Sequence, residues 1–317
     1  MIDTIQIVKN ITQEEREHLL QVLALKTKSG SFIYYPSDSK LVVNSYKNLK
    51  LLLADNKLTI SGSLTKLHYA NNIQQLTYHQ LIDLLKSLET LLSFPLDDAI
   101  IKRIDIACNV EADEQVSSYL ALLFPPKGHK LTHYESETKY FQNGNKTYCI
   151  YDKNKEAKKT PGYLMSTGSL IRYELRVKKN VAKELGWQDA KLSNLYDLES
   201  YIKLINWFWM AFCKIPFKKE LQDSPLDFTN IKRLKNQLIA DGIKYNGGEE
   251  VLYSAIKSPH VKRTVRFAIR KMISELPNGR IINWHLIDEL GVKISAKCQH
   301  EVYTAIHYSN DPTFDAK

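Results

Sequence analysis

The chain has 317 residues, 44% of them hydrophobic and 25% charged, the make-up of a folded protein with a sizeable core rather than a disordered or fibrous one. Its 44 Lys and Arg against 35 Asp and Glu leave a net charge of +9, which favours a polyanionic partner without separating DNA from RNA or an anionic membrane. The opening Met1-Ile2-Asp3-Thr4 lacks the build of a signal peptide, the apolar run Trp207–Cys213 is too short for a bilayer, and Cys108, Cys149, Cys213 and Cys298 show no CxxC pair, so a cytoplasmic chain with no membrane span and no zinc site is expected.

Residues 4–8 read as a strand, and Thr12 with Glu15 then forms a capping-box signal ahead of the apolar stretch Leu19–Leu25. Short β-rich runs follow between Ser31 and Thr65, separated by polar turns, as in an antiparallel meander. Thr77 with Gln80 caps an amphipathic helix in which Leu81, Leu84, Leu85, Leu88, Leu91 and Leu92 recur at helical spacing before Pro95. A strand is expected at 101–110. Asp113 is placed to cap a short helix reaching about Phe124, and Pro125-Pro126 then leads into a polar loop. Tyr140-Phe141 and Thr147–Tyr151 flank the turn residues Asn143-Gly144 as a hairpin, and Leu170–Val177 is the last strand of this half.

From about 185 the pattern turns helical. Tyr201, Leu204, Ile205, Phe208 and Phe212 make one apolar face, and further helices are expected at 229–240, 249–257, 261–275 and 283–290. Arg263, Arg266 and Arg270 flank the apolar stripe of Val261, Val265, Ile269 and Met272, forming a basic ridge that suits either phosphate contact or an ordinary solvated face. Residues 284–305 read as a helix, a turn at Gly291 and a second helix from near Ser295, a pattern compatible with a DNA-binding helix-turn-helix. The fold class is therefore α+β, with two related strand-helix-strand units giving an antiparallel sheet backed by helices, followed by a mostly helical C-terminal region. The expected division is a domain over 1–184 and a helical one over 185–317.

Strand parity brings the chemistry into view. In residues 103–110, Arg103, Asp105, Ala107 and Asn109 share one face; in 171–177, Arg172, Glu174 and Arg176 do; in 147–151, Thr147, Cys149 and Tyr151 do. If the three strands share a sheet, its open face presents two carboxylates, a phenol and several cations. Carboxylates can hold Mg²⁺ or Mn²⁺, cations offset phosphate charge, and a tyrosine can form a covalent link. The same alternation also suits a sheet whose solvent face simply carries charge.

Three ordered blocks resemble the replication initiators of filamentous phages and related plasmids. They are Arg103-Ile104-Asp105, the Y-x-K-x-x-E run from Tyr151 through Lys153 to Glu156, and the R-x-E-x-R run of Arg172, Glu174 and Arg176. Met1-Ile2-Asp3 and Ser61–Lys66 are also similar, so the resemblance covers roughly the first 185 residues. It implies a rolling-circle replication initiator, a metal-dependent DNA nickase and strand transferase. In that reading Tyr151 is the nucleophile, passing through a 5′-phosphotyrosyl intermediate, and Asp105 and Glu174 belong to a Mg²⁺ or Mn²⁺ site. Lys153 would favour phenolate, while Glu156 is a further ligand, a base or a solvated charge. Arg103, Arg172, Arg176, Arg263, Arg266 and Arg270 are the candidate DNA contacts, with origin DNA, single-stranded at the nick, as partner and host helicase and polymerase beyond it. The alternative is a non-catalytic, sequence-specific DNA-binding repressor or copy-control protein; an RNA-binding sheet would carry exposed aromatic pairs where this face carries charge.

Overall fold

The computed structural model describes residues 1–26, 32–35, 40–135, 137–157, 168–217, 219–221, 279–281 and 284–309, with scattered positions between 232 and 268. Its frame is set by apolar alternation along extended segments. Ile2–Asn10 (β1) buries Ile2, Ile5 and Ile7. With it stand Phe32–Tyr35 (β2), Lys40–Tyr46 (β3), Leu49–Ala54 (β4), Lys57–Ser63 (β5), Ile100–Ala112 (β6), Lys130–Glu135 (β7), Thr138–Gln142 (β8), Lys146–Asp152 (β9) and Ser169–Val177 (β10). These ten strands form one antiparallel sheet in the order β2-β3-β4-β5-β1-β6-β10-β9-β8-β7. The architecture is α+β, as the pattern of elements predicts.

Both capping boxes form. The Thr12 amide donates to Glu15 and the Glu15 amide to the Thr12 hydroxyl at the start of Gln13–Lys26 (α1). After Leu64–Tyr69 (α2), Thr77 and Gln80 cap each other at the start of Tyr78–Leu92 (α3). Further along come Val116–Leu122 (α4), Lys153–Ala157 (α5), Val181–Leu185 (α6), Ser193–Tyr196 (α7), Leu198–Phe212 (α8) and Trp284–Ser309 (α9).

One face of the central strands is core: Ile104, Ile106, Cys108 and Val110 of β6 and Ile171, Tyr173, Leu175 and Val177 of β10 are all buried. Phe208 of α8 stacks on Tyr173 with ring centroids 4.6 Å apart, and Phe212 meets the same ring edge-on at 5.3 Å. Tyr201, also on α8, donates its hydroxyl to the Glu301 carboxylate of α9 at 2.6 Å, so both helices belong to the layer beneath the sheet. The aromatic stripe of α8 is therefore core. Contacts divide the chain into Met1–Pro216 with Asp288–Lys317, and Phe217–Ile287, the second holding the paired strands Lys219–Leu221 (β11) and Gly279–Ile281 (β12). The change of pattern at 185 thus differs from the division by contacts, because α6, α7 and α8 pack within the same unit as the sheet.

Three local expectations are corrected. The polar stretch after Pro125-Pro126 is not all loop: it contains β7, the edge strand, whose residues are mostly exposed and so lack the alternation that marks a half-buried strand. Asp113 does not cap α4, whose N-cap is Gln115; its carboxylate accepts instead from the Lys293 ammonium at 2.7 Å. No turn interrupts residues 284–305, which lie in the continuous helix α9. Leu290, Ile294, Cys298, Glu301 and Ala305 make one buried stripe through it, and a Cβ at Gly291 would lie 3.9 Å from Trp209 and 4.0 Å from Phe212. Packing of this stripe outweighs the roughly 1 kcal/mol that a glycine costs a helix interior. The helix expected at 249–257 lies outside the described residues, as do those expected at 229–240 and 261–275 except at a few scattered positions.

Candidate active site

The second face of β6, β10 and β9 carries the site, and register explains why. Arg176 stands opposite Asp105, Glu174 opposite Ala107 and Cys149, and Arg172 opposite Asn109 and Tyr151. Antiparallel partners point to the same side of a sheet, so residues far apart in sequence become neighbours. A register shift on β1 adds to them: Ile2 faces Ile106 while Thr4 faces Asp105, leaving Asp3 as the extra residue of a bulge. The bulge turns its carboxylate to this face, where it accepts from Arg172 at 2.5 Å.

The polar atoms interlock. The Tyr151 hydroxyl donates to Glu174 Oε2 at 3.2 Å, and Arg172 Nε donates to the same oxygen at 3.2 Å. Arg176 Nε donates to Glu174 Oε1 at 2.6 Å. Arg103 grips Asp105 with two bonds, Nε to Oδ1 at 2.8 Å and Nη2 to Oδ2 at 2.5 Å. Arg172 Nη1 reaches the Asn72 carbonyl at 3.0 Å and Asn109 Oδ1 at 3.2 Å. Lys153, two residues beyond Tyr151, donates to Asn72 Oδ1 at 2.7 Å and to the Glu156 carboxylate.

This face is not open, as parity alone suggests. Asp105, Glu174, Arg172, Lys153 and Tyr151 are all buried, and the phenol hydroxyl is hydrogen-bonded to Glu174. Asp3 and Asn72 were missed as site residues by motif reasoning: a bulge leaves no mark in the alternation, and Asn72 lies in the loop between α2 and α3. Asn109 was visible by parity.

Burial and charge act on the two acids in opposite senses. Burial pushes the Asp105 carboxyl up to about 6 against the pull of Arg103. Burial also raises Glu174, but Arg172 and Arg176 reverse this and hold it at about 2. Burial lifts the Tyr151 phenol far above its ordinary value, so the resting group is a neutral hydrogen-bond donor. Burial lowers the Lys153 ammonium, with Glu156 opposing, which makes it a readier proton donor.

No family model matches the chain, and no curated protein matches it. A solved structure described as a rolling circle replication initiator protein, from Geobacillus stearothermophilus, is similar over 71% of this chain and 88% of that chain, at 14% identity and a TM-score of 0.43. A likeness at that level leaves function to be read from the chain's own side chains.

The other tyrosines of β9 and β10, and the candidate DNA contacts of the C-terminal half, are placed elsewhere. Tyr148 lies on the core face of β9, next to the His129 ring at 4.9 Å, and Tyr173 lies in the core beneath Phe208. Arg263 is exposed and belongs to the Phe217–Ile287 unit, while Arg266 and Arg270 lie outside the described residues.

Carboxylate oxygens are suitable donors for Mg²⁺ or Mn²⁺, but this arrangement does not fit such an ion. Asp3, Asp105, Glu156 and Glu174 are matched by Arg103, Arg172, Arg176 and Lys153, and each acid is ion-paired. Both Asp105 oxygens and both Glu174 oxygens already accept from guanidinium groups. Among the described residues no group of three or more His, Cys, Asp or Glu side chains could hold a metal ion. No helix among them is long and apolar enough to cross a membrane.

Proposed function

We propose that the chain nicks and rejoins a DNA strand to initiate rolling-circle replication, with Tyr151 as the nucleophile. The observation that carries this reading is the Tyr151 hydroxyl hydrogen-bonded to Glu174, on the sheet face that also carries three guanidinium groups. In the attack, Tyr151 Oη forms a bond to phosphorus and the P–O3′ bond breaks. The phenol proton passes to water as the bond to phosphorus forms; Glu174 Oε2 orients the hydroxyl and does not keep the proton, because its carboxyl is held at about 2. The 3′ oxygen leaves with a proton from Lys153, giving a 5′-phosphotyrosyl link and a free 3′-hydroxyl. Charge building on the phosphate is offset by Arg103 and Arg176, both partly exposed and both on this face. Attack by the 3′-hydroxyl on the phosphotyrosine reverses the sequence and rejoins the strand. The same hydroxyl can prime synthesis, with host helicase and polymerase as partners.

The test is supercoiled DNA carrying the chain's own origin, incubated with the protein and denatured to reveal covalent adducts. Tyr151→Phe is expected to abolish both the nick and the adduct while still binding DNA, and Tyr148→Phe to retain both. An adduct that survives in Tyr151→Phe moves the nucleophile elsewhere and overturns the reading.

A further inference from the structure

We infer that the outer edge of β7 is a docking surface for a second copy of this chain, which pairs with it antiparallel about a two-fold axis between Thr132 and His133. The inference is independent of the nicking reading, since it uses neither Tyr151 nor the charged face around it.

β7 ends the ten-stranded sheet, and among the described residues no strand pairs with its outer side. Such an edge presents backbone donors and acceptors that another strand can satisfy. Five of its six residues are exposed, and His133 is half-buried. Its charged ends are of opposite sign, Lys130 at the start and Glu135 at the finish. Between them Leu131 and Tyr134 are 46% and 56% exposed, so the middle of the edge is not guarded by charge.

Run against itself, the strand is self-complementary. Antiparallel pairing about this axis sets Lys130 opposite Glu135, Leu131 opposite Tyr134 and Thr132 opposite His133, each twice, as an isologous interface requires. Opposed residues of an antiparallel pair must also point to the same side of the sheet, and these do. Leu131 is matched with Phe141 and Tyr134 with Lys139, two residues of β8 on the core face. Lys130 is matched with Gln142 and Glu135 with Thr138, both on the other face.

The bulge at Thr132 makes this agreement possible. In a regular strand, residues three or five apart point to opposite sides, so neither Leu131 with Tyr134 nor Lys130 with Glu135 would share a face. A bulge discourages pairing with an arbitrary strand. Set in the middle of this one, it leaves the edge suited to its own copy. His133 Nε2 lies 3.4 Å from Glu135 Oε1 in the same strand, an exposed contact that Lys130 of the second copy joins on the same carboxylate.

The test is sedimentation velocity on the full-length protein over about 1–500 μM, a range set by the small area that a six-residue edge buries. The wild type is expected to pass from monomer to dimer. Lys130→Glu and Glu135→Lys each place like charges opposite one another at both ends of the interface, and each is expected to weaken the dimer by about tenfold or more. An equimolar mixture of the two variants restores opposite charges at both ends and is expected to recover dimer, as is the chain carrying both substitutions. Recovery in the mixture also shows that the single variants fold. A protein that stays monomeric over the whole range overturns the inference. So does a dimer that neither charge reversal weakens, which joins through another surface, or one that the mixture fails to restore.

Discussion

Asp105 and Glu174 sit on one face of adjoining strands, yet their environments drive them apart. Glu174 has a guanidinium on each oxygen, whereas Asp105 has one, and that one is partly exposed to solvent. Asp105, raised to about 6, holds a proton more readily folded than unfolded. Its contribution to stability is therefore complete below its ordinary 3.8 and lost as pH rises through about 6. Glu174, held at about 2, contributes above its ordinary 4.5 and loses that contribution as pH falls through about 2. A ¹³C-carboxyl titration is expected to show the Asp105 midpoint near 6, and Arg103→Ala to move it higher by removing the charge that favours the carboxylate. A midpoint that stays put in that variant would mean the guanidinium does not hold the acid in solution. Glu174→Gln leaves Arg172 and Arg176 short of a counter-charge in a buried site, a change expected to cost roughly 3–5 kcal/mol in urea unfolding.

At the scale of elements, local signals were legible wherever a side chain acts on its own backbone. Thr12–Glu15 and Thr77–Gln80 announce their helices because each cap closes within four residues. Gly291 misleads for the converse reason: a glycine reads as a stop, but here it lies inside α9, on the side facing Trp209 and Phe212. Gly291→Ala decides the point, since a Cβ would make ordinary contact there. In a continuous helix the change is expected to stabilise by about 0.5–1 kcal/mol, read as a higher melting temperature, whereas a turn at 291 would make it destabilising. The edge strand β7 escaped notice because neither of its faces is well buried, so no alternation was selected.

At the scale of the whole molecule, a net charge of +9 makes attraction to a polyanion general, and the charged sheet face makes it local. The two contributions separate by salt. Oligonucleotide affinity is expected to fall with rising salt, and Arg103→Gln with Arg176→Gln to flatten the slope of log K against log salt by about 1.4, at about 0.7 for each single-strand phosphate contact. An unchanged slope would place the phosphate contacts elsewhere on the chain, Arg263 being one exposed cation of the second unit.

The sequence by itself determined which residues share a face, because side chains along a strand alternate with a period of two whatever the strand pairs with. That was enough to set Asp105, Glu174 and Tyr151 on three matching faces, and to set Tyr148 and Tyr173 on the other side. Only the tertiary structure decided what those residues meet. The bulge at Asp3, the loop carrying Asn72 and the depth of burial turn an expected open, cation-ready face into a closed network of acids held by arginines. Hydrogen-bond partners and dielectric depend on segments brought together from across the chain, and no local pattern encodes them.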